Sequence, residues 1–383
     1  MSPPKEQRRL ALFLATSGHS GVDRIMKNFL GELAKRPIAV DLLQVEGHGP
    51  HIHSVPDNVR RIALGTHHVH SSLFRLAHYL KTVRPDALLC DKDRVNRTAI
   101  LAAAVAGYTG RLVVRVGTTV SRNLQGRGFL HRTMQYWSIR HLYPRAHAVV
   151  VPSRGAAEDL SALGSLPHGF IHVLPSPVVS EKIHDLAREP LKHPWFQPGG
   201  PPVILGAGEL CERKDFATLL RAFAKVHKDR PCRLVILGRG KKRVALEKLA
   251  HELGVAAHVD FPGFVENPYT YMAKASVFVL SSTVEGLPVV LMEAMAVGTP
   301  VVATDCPSGP REILEDGALG PLVPVKSPDE LAAAITRVLT SPLNRKALMA
   351  AASRYDVRKA TGAYLKVLGF SDVAALPKGK AAP

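Results

Sequence analysis

Short apolar runs alternate with longer amphipathic stretches along the whole chain. Residues 10–15, 39–45, 59–64, 87–90, 112–116 and 148–151 are rich in Val, Ile and Leu without polar alternation. That pattern predicts strands covered on both faces. Between them, helical periodicity predicts helices over 23–33, 72–83, 96–108 and 130–141, which gives a βαβα rhythm and a parallel sheet. Residues 187–202, AREPLKHPWFQPGGPP, hold five prolines and two glycines and interrupt every periodicity. The rhythm then restarts, with strands predicted at 203–207, 233–237, 258–261, 277–280 and 301–304. Helices are predicted at 216–226, 244–253, 290–297, 331–339 and 345–355. The expected organisation is an N-terminal domain over 1–186, a proline-rich linker over 187–202 and a second α/β domain over 203–355. A C-terminal helix and a frayed Ala/Pro/Lys-rich tail complete it over 356–383.

Composition narrows this picture little. The 383 residues are 46% hydrophobic and 21% charged, ordinary globular usage that excludes a disordered polyampholyte, a collagen-like repeat and a coiled coil. The four cysteines, Cys90, Cys211, Cys232 and Cys306, form no CxxC pair, so neither a disulfide framework nor a zinc knuckle is supported and a reducing, cytoplasmic setting is expected. No apolar run approaches the roughly 18–20 residues of a spanning helix. The run at 10–15 follows two arginines but is short and leads into a Gly/Ser turn, so it reads as a first strand and not as an export signal.

Charge changes the picture more. Fifty Lys and Arg against 32 Asp and Glu give a net charge of +18. Between Asp93 and Glu158 there is no acidic residue and there are ten arginines, with Phe129, Leu130, Met134, Tyr136 and Trp137 among them. A helix carrying arginines and exposed aromatics suits an anionic membrane surface; the alternative is that Leu130 and Trp137 pack on the sheet and the arginines are merely solvated. The eighteen histidines include the groups His48, His51, His53 and His67, His68, His70. Neither has the i, i+4 spacing with a carboxylate of a helical zinc site, so no metal is expected.

The richest chemistry lies at 281–312, SSTVEGLPVVLMEAMAVGTPVVATDCPSGPRE. Glu285 closes a strand-to-loop transition, and Glu293 follows eight residues later inside a helix that starts near Val289. Helix-start amides of Val289 and Val290 suit an anion, and a carboxylate beside them suits sugar hydroxyls. With Glu285-Gly286, Glu293-Ala294, Ala296, Gly298, Pro300-Val301-Val302 and Thr304-Asp305 in order, the segment resembles the E-x7-E frame of the retaining GT-B glycosyltransferases of the family 4 group.

The resemblance extends along most of the chain. GAGELCERKDFATLLRAF at 206–223 is similar to the family element whose Arg and Lys neutralise the donor diphosphate; Gly208 and Lys214 match, Glu209 stands in place of the arginine, and Arg213 is a candidate replacement. Gly238 and Gly240 match a tight strand-to-helix loop, and Gly263, Phe264 and Val265 match the turn that reads the base. In the first half, Gly21 stands where the family's Gly-Gly loop approaches donor phosphate, with Ser20 replacing the first glycine and His19 beside it. Where the family often has a histidine, the chain reads Val113 to Thr118, with Arg115 and Thr118 as the polar candidates.

The resemblance implies two Rossmann-like doubly wound domains facing across a cleft. It implies transfer of a hexose from UDP- or GDP-sugar to a lipid-linked, lipopolysaccharide or exopolysaccharide acceptor, with retention, no cofactor, no metal and no nucleic acid partner. Glu285 would contact the donor sugar and Lys214 the diphosphate as the catalytic pair, and Glu293 the ribose. Two other functions stand beside it: a nucleotide-sugar 2-epimerase on the same fold, and a catalytically weakened GT-B relative serving as a membrane or assembly partner.

Overall fold

The computed structural model describes residues 7–16, 21–50, 56–164, 166–167 and 169–373. The chain divides into two compact units, one formed by Met1–Val178 with Val357–Pro383, the other by Val179–Asp356. Each is built on one parallel sheet.

The first sheet has seven strands: β1 (Arg9–Leu14), β2 (Ala39–Gln44), β3 (Val59–Ala63), β4 (Ala87–Asp91), β5 (Arg111–Arg115), β6 (Ala148–Val151) and β7 (Ile171–Val173), in the order β3-β2-β1-β4-β5-β6-β7. β4 and β6 are buried along their whole length, as a sheet covered by helices on both faces requires. The second has six: β8 (Val203–Ala207), β9 (Arg233–Leu237), β10 (Val259–Gly263), β11 (Val277–Leu280), β12 (Val301–Thr304) and β13 (Leu322–Val323), in the order β10-β9-β8-β11-β12-β13. In each sheet the strand order reverses once, between β1 and β4 and between β8 and β11. Ligands of open parallel sheets bind outside the carboxyl ends of the strands at such a reversal.

Several elements depart from the sequence pattern. The proline-rich segment lies within the second unit and does not join the two units. Its rings anchor it there: His193 Nε2 bonds Asp260 at 2.9 Å, His193 and Phe196 stack edge-on against Tyr271, and Arg233 lies over Trp195. Prolines broke the periodicity but not the packing. The helices Arg154–Leu163, Glu181–Arg188 and Tyr269–Lys274 lie outside the stretches read as helical from the sequence. The helix Val357–Val367 returns to the first unit.

What holds that returning helix is a buried ion pair. Arg115, at the end of β5, is 1% exposed and donates to Asp91 at 2.9 Å, to the Tyr364 hydroxyl at 3.0 Å and, at 3.5 Å, to Ser176. Tyr364 also packs its ring against Phe29, and Arg111 donates to the Val367 carbonyl at 2.6 Å. The side chain that sequence comparison left as a polar site candidate is thus consumed by structural contacts. Although burial works against its charge, Asp91 and Tyr364 hold the guanidinium above its ordinary pKa. Arg115→Met would leave the Asp91 carboxylate buried without its cation, a loss of about 3–5 kcal/mol. The expected result is a marked fall in the thermal midpoint of the first unit, largely reversed when Asp91→Leu is added. A midpoint within a degree or two of the parent would show that the pair does not hold the helix.

Candidate functional site

The carboxyl ends of β8 and β11 bring one charged cluster together. After β8 the chain runs through Gly208 to a single helical turn, Glu212–Lys214, and then to Asp215, whose φ of 45° is left-handed. Asp tolerates that conformation better than most residues. Its carboxylate accepts from the Thr218 amide at 3.3 Å and the Thr218 hydroxyl at 2.7 Å, capping the helix Phe216–Asp229. The same turn is tied to the loop after β11: the Thr283 amide donates to the Arg213 carbonyl at 2.8 Å and the Ser281 hydroxyl to the Lys214 carbonyl at 2.8 Å. These bonds present Arg213 and Lys214 to Glu285.

Glu285 is buried. Its Oε1 accepts from Lys214 Nζ at 2.6 Å and Ser282 Oγ at 2.8 Å, and Arg213 Nη1 lies 3.1 Å away. All three contacts fall on one oxygen. No described side chain donates to Oε2, which leaves it as an acceptor. Burial alone pushes the Glu285 carboxyl up, but Lys214 and Arg213 outweigh it and hold the pKa below the ordinary range. The group is therefore an anion at neutral pH. Cys306 lies close enough to feel that charge; burial first, then Glu285, pushes its thiol up to about 12, so it is a neutral packing group and no nucleophile.

Glycines bring the neighbouring strand ends into contact. A Cβ on Gly238, at φ 133°, would lie 1.8 Å from the Gly208 carbonyl oxygen, so only glycine fits. The Gly208 amide donates to Leu237 at 2.9 Å and the Gly238 amide to Gly263 at 2.7 Å, which places the ends of β8, β9 and β10 side by side. A Cβ on Gly208 would meet the Lys214 stem at 3.0 Å. Gly240 approaches the Leu210 backbone as closely. Phe264, just past Gly263, is largely exposed and Val265 half-buried.

The helix Val289–Ala296 starts behind Pro288. Its first intrahelical bonds are donated by Leu291 and Met292 to the Pro288 carbonyl, so the amides of Val289 and Val290 precede the hydrogen-bonded ladder. Glu293 is fully buried and accepts from the Tyr269 hydroxyl at 3.0 Å on Oε1.

Of the residues singled out by sequence, Lys214, Arg213 and Glu285 meet directly, and Gly208, Gly238 and Gly263 form the adjoining backbone seam. Gly21 is the exposed first residue of the helix Gly21–Leu33 in the first unit. Ser20, His19, His51 and His53 lie outside the described residues; among the described residues no group of three or more His, Cys, Asp or Glu is placed to hold a metal. Glu209 is exposed and pairs with neither Arg213 nor Lys214, both of which turn to Glu285. Sequence reasoning missed Ser282 and Tyr269. Ser282 sits three residues before Glu285, a readable turn spacing; Tyr269 comes from a separate helix and leaves no local signal.

Residues 187–355 match the family described as Glycosyl transferases group 1, and residues 19–182 match Glycosyltransferase Family 4. A Campylobacter jejuni protein, N-acetylgalactosamine-N,N'-diacetylbacillosaminyl-diphospho-undecaprenol 4-alpha-N-acetylgalactosaminyltransferase, is 34% identical over 257 residues, 67% of each chain. The lipopolysaccharide core biosynthesis glycosyltransferase LpsE of Rhizobium meliloti is 30% identical over 64% of this chain and 71% of its own. Among solved structures, Anabaena HepE in complex with UDP-glucose superposes with a TM-score of 0.76 at 18% identity, covering 94% of this chain and 99% of that one. A lipopolysaccharide outer core galactosyltransferase, WaaB, gives 0.73 at 18%, covering 95% and 99%. The two parallel sheets, the E-x7-E frame and these likenesses together establish that the chain belongs to the family 4 glycosyltransferases of the GT-B fold.

Proposed function

We propose that the protein moves a hexose from a UDP- or GDP-sugar to a lipid-linked saccharide or a lipopolysaccharide or exopolysaccharide acceptor, with retention at the anomeric carbon. The observation that carries this reading is Glu285, an ionised carboxylate with Oε1 locked by Lys214, Arg213 and Ser282 and Oε2 left to accept. An acceptor so fixed suits a donor sugar hydroxyl. The relatives support the acceptor class: one is named for a diphospho-undecaprenol saccharide, another for lipopolysaccharide core biosynthesis.

In this mechanism the bond between the anomeric carbon and the β-phosphate oxygen breaks, and an acceptor hydroxyl oxygen bonds the same face of that carbon. The acceptor proton passes to the departing phosphate. Lys214 and the amides of Val289 and Val290 would meet the negative charge that grows on the diphosphate. Glu285 would orient the sugar, and Glu293, held by Tyr269, the ribose. The backbone turn Gly263–Val265 would read the base.

The acceptor class fits a membrane-facing surface, and we assign it to the helix Phe129–His141. Phe129 and Leu130 are 78% and 81% exposed, Met134 and Trp137 53% each. Leu130, Met134 and Trp137 share one helix face, with Arg127, Arg132 and Arg140 exposed around it. The inward side is held by Gln135, Ser138 and Ile139, so Leu130 and Trp137 do not pack on the sheet as the alternative reading required. Among the described residues no helix is long and apolar enough to cross a membrane; the fit is to an interface, where each arginine adds about 1 kcal/mol on an anionic leaflet.

Lys214→Ala should lower kcat/KM for the nucleotide sugar by about 100-fold or more, measured where circular dichroism shows the variant still folded. Glu285→Gln keeps Oε1 as an oxygen but turns Oε2 into an amide donor, so kcat should fall; Glu293→Gln should act on KM. Donor kinetics unchanged in all three variants would remove the cluster from catalysis. For the membrane surface, flotation with vesicles should need anionic phospholipid and weaken at high salt. Arg127, Arg132 and Arg140 changed together to Gln should abolish flotation and spare hydrolysis of soluble donor. Flotation indifferent to lipid charge and salt would remove the arginines from the interaction.

A further inference from the structure

The second unit's charged cluster, taken alone, has no positive charge to spare. Arg213 and Lys214 bring two cations, both turned to the Glu285 carboxylate. Glu209, a few residues away on the same loop, adds a second carboxylate that no cation among the described residues pairs with. Two cations and two carboxylates cancel, and a diphosphate arriving there would meet a neutral site with an exposed anion at its edge. A site for a multiply charged ligand needs another cation within a few ångströms.

The strand register supplies one. Ala207 of β8 lies beside Leu237 of β9, and past the strand ends the Gly208 amide bonds Leu237 and the Leu210 amide bonds the Arg239 carbonyl at 2.9 Å. The backbone segments that carry Glu209 and Arg239 therefore run side by side past the ends of two adjacent strands. Gly238 in turn bonds Gly263, which sets Phe264 on Arg239's other side; the Arg239 guanidinium lies over the Phe264 ring, 5.9 Å from its centre. Arg239 is exposed and, among the described residues, has no carboxylate partner. Of the other cations of this loop, Lys242 pairs with Glu212 and Arg243 with Glu247; Lys241 is exposed and also without a carboxylate partner among the described residues, but it is Arg239 that lies against Phe264. The glycine seam thus holds an uncommitted guanidinium, supported by an aromatic face, beside the one position where the site carries an unwanted negative charge.

We infer that Arg239 is the donor-binding cation of this site, contacting the diphosphate from β9 in place of an arginine from β8, with Phe264 holding its guanidinium in position. This rests on the reading of the protein as a nucleotide-sugar transferase. It also makes a specific statement about Glu209: the positive charge that the family element carries at that position is supplied here by Arg239, from the neighbouring strand.

The test is calorimetric titration of the full chain with UDP, GDP, inorganic diphosphate, farnesyl diphosphate, uridine and guanosine. Arg239→Gln should weaken the preferred nucleoside diphosphate about tenfold or more and weaken inorganic diphosphate with it, while leaving the nucleoside unchanged. Glu209→Gln should tighten nucleotide binding several-fold, about what removing one nearby like charge allows. The exchanged double variant, Glu209→Arg with Arg239→Glu, should bind within about threefold of the parent, whereas Arg239→Glu alone should bind far more weakly. Both side chains are exposed, so thermal midpoints should stay close to the parent and folding does not obscure the result. Parental affinity in Arg239→Gln overturns the inference alone. A loss of equal size for the nucleoside makes Arg239 a base-stacking group and overturns it, as does a loss confined to farnesyl diphosphate. A parent protein that binds neither UDP nor GDP overturns the donor reading and this inference together.

Discussion

An ionised carboxylate in a buried position is the constraint on which the second unit's site is built. Glu285 cannot stay charged at 8% exposure without compensation. The compensation comes from a turn whose Lys214 lies 71 residues earlier in the chain, brought to it by the parallel pairing of β8 and β11. Everything around the pair serves that approach. Asp215 takes a left-handed conformation so that Lys214 faces the loop and the following helix is capped; Thr283 and Ser281 clamp the backbone carrying Arg213 and Lys214; and Gly208 leaves room for the lysine stem. Remove the carboxylate and two cations crowd one another; remove the lysine and the anion keeps only the half-exposed Arg213. The pair is thus strongly coupled, and its energy depends on both loops keeping their register.

The first unit answers the same problem differently. Its buried ion pair, Arg115 with Asp91, is fully enclosed and satisfied by Tyr364 and Ser176. No acceptor oxygen is held open there, and the group ties the returning C-terminal helix to the sheet. A second enclosed carboxylate, Asp41, is held by Arg9, Arg60 and Tyr79 in the same way; burial pushes it up, and the hydrogen bonds from Arg60 and Tyr79 bring it below its ordinary pKa. Asp91 and Asp41 thus sit in closed networks that fix elements, whereas Glu285 is gripped on a single oxygen.

How much of this was legible in the sequence follows from the range of the interactions involved. Parallel strands covered on both faces are written as local apolar runs, so most of the two sheets could be read directly, while the short β7 and β13 could not, and the glutamates at 285 and 293 stood out only through the resemblance to the E-x7-E frame. Glycine at 238 carries a signal because its cause, a backbone approach of 1.8 Å for any Cβ, forbids every other residue. Tyr269 could not be found, because its partner is twenty-four residues away and its helix is short. The linker expectation failed for a related reason: proline and glycine at 187–202 do end regular structure, but His193, Trp195 and Phe196 bind the segment to the second unit through rings whose partners lie far along the chain. Arg115 looked like a site candidate only because its anion, on another strand, is invisible to local pattern.

The distribution of positive charge ties the two ends of the proposed reaction together. A net charge of +18 states only that the protein prefers anionic partners; burial and pairing decide where that preference acts. In the first unit Arg115 is spent internally and Arg97 pairs with Asp93, so the acid-free segment contributes to the surface through its remaining, exposed arginines, of which Arg127, Arg132 and Arg140 surround the exposed helix 129–141. In the second unit Lys242, Arg243 and Arg311 have acidic neighbours, and Arg213 and Lys214 share Glu285. Setting the paired groups aside, one unit presents arginines flanked by exposed apolar side chains, and the other presents Arg239, with Lys241 two residues on, at a glycine-lined strand end. On the proposed reading the first would meet a lipid leaflet and the second a soluble diphosphate, the pairing of substrates that transfer from a soluble donor to a lipid-linked acceptor requires.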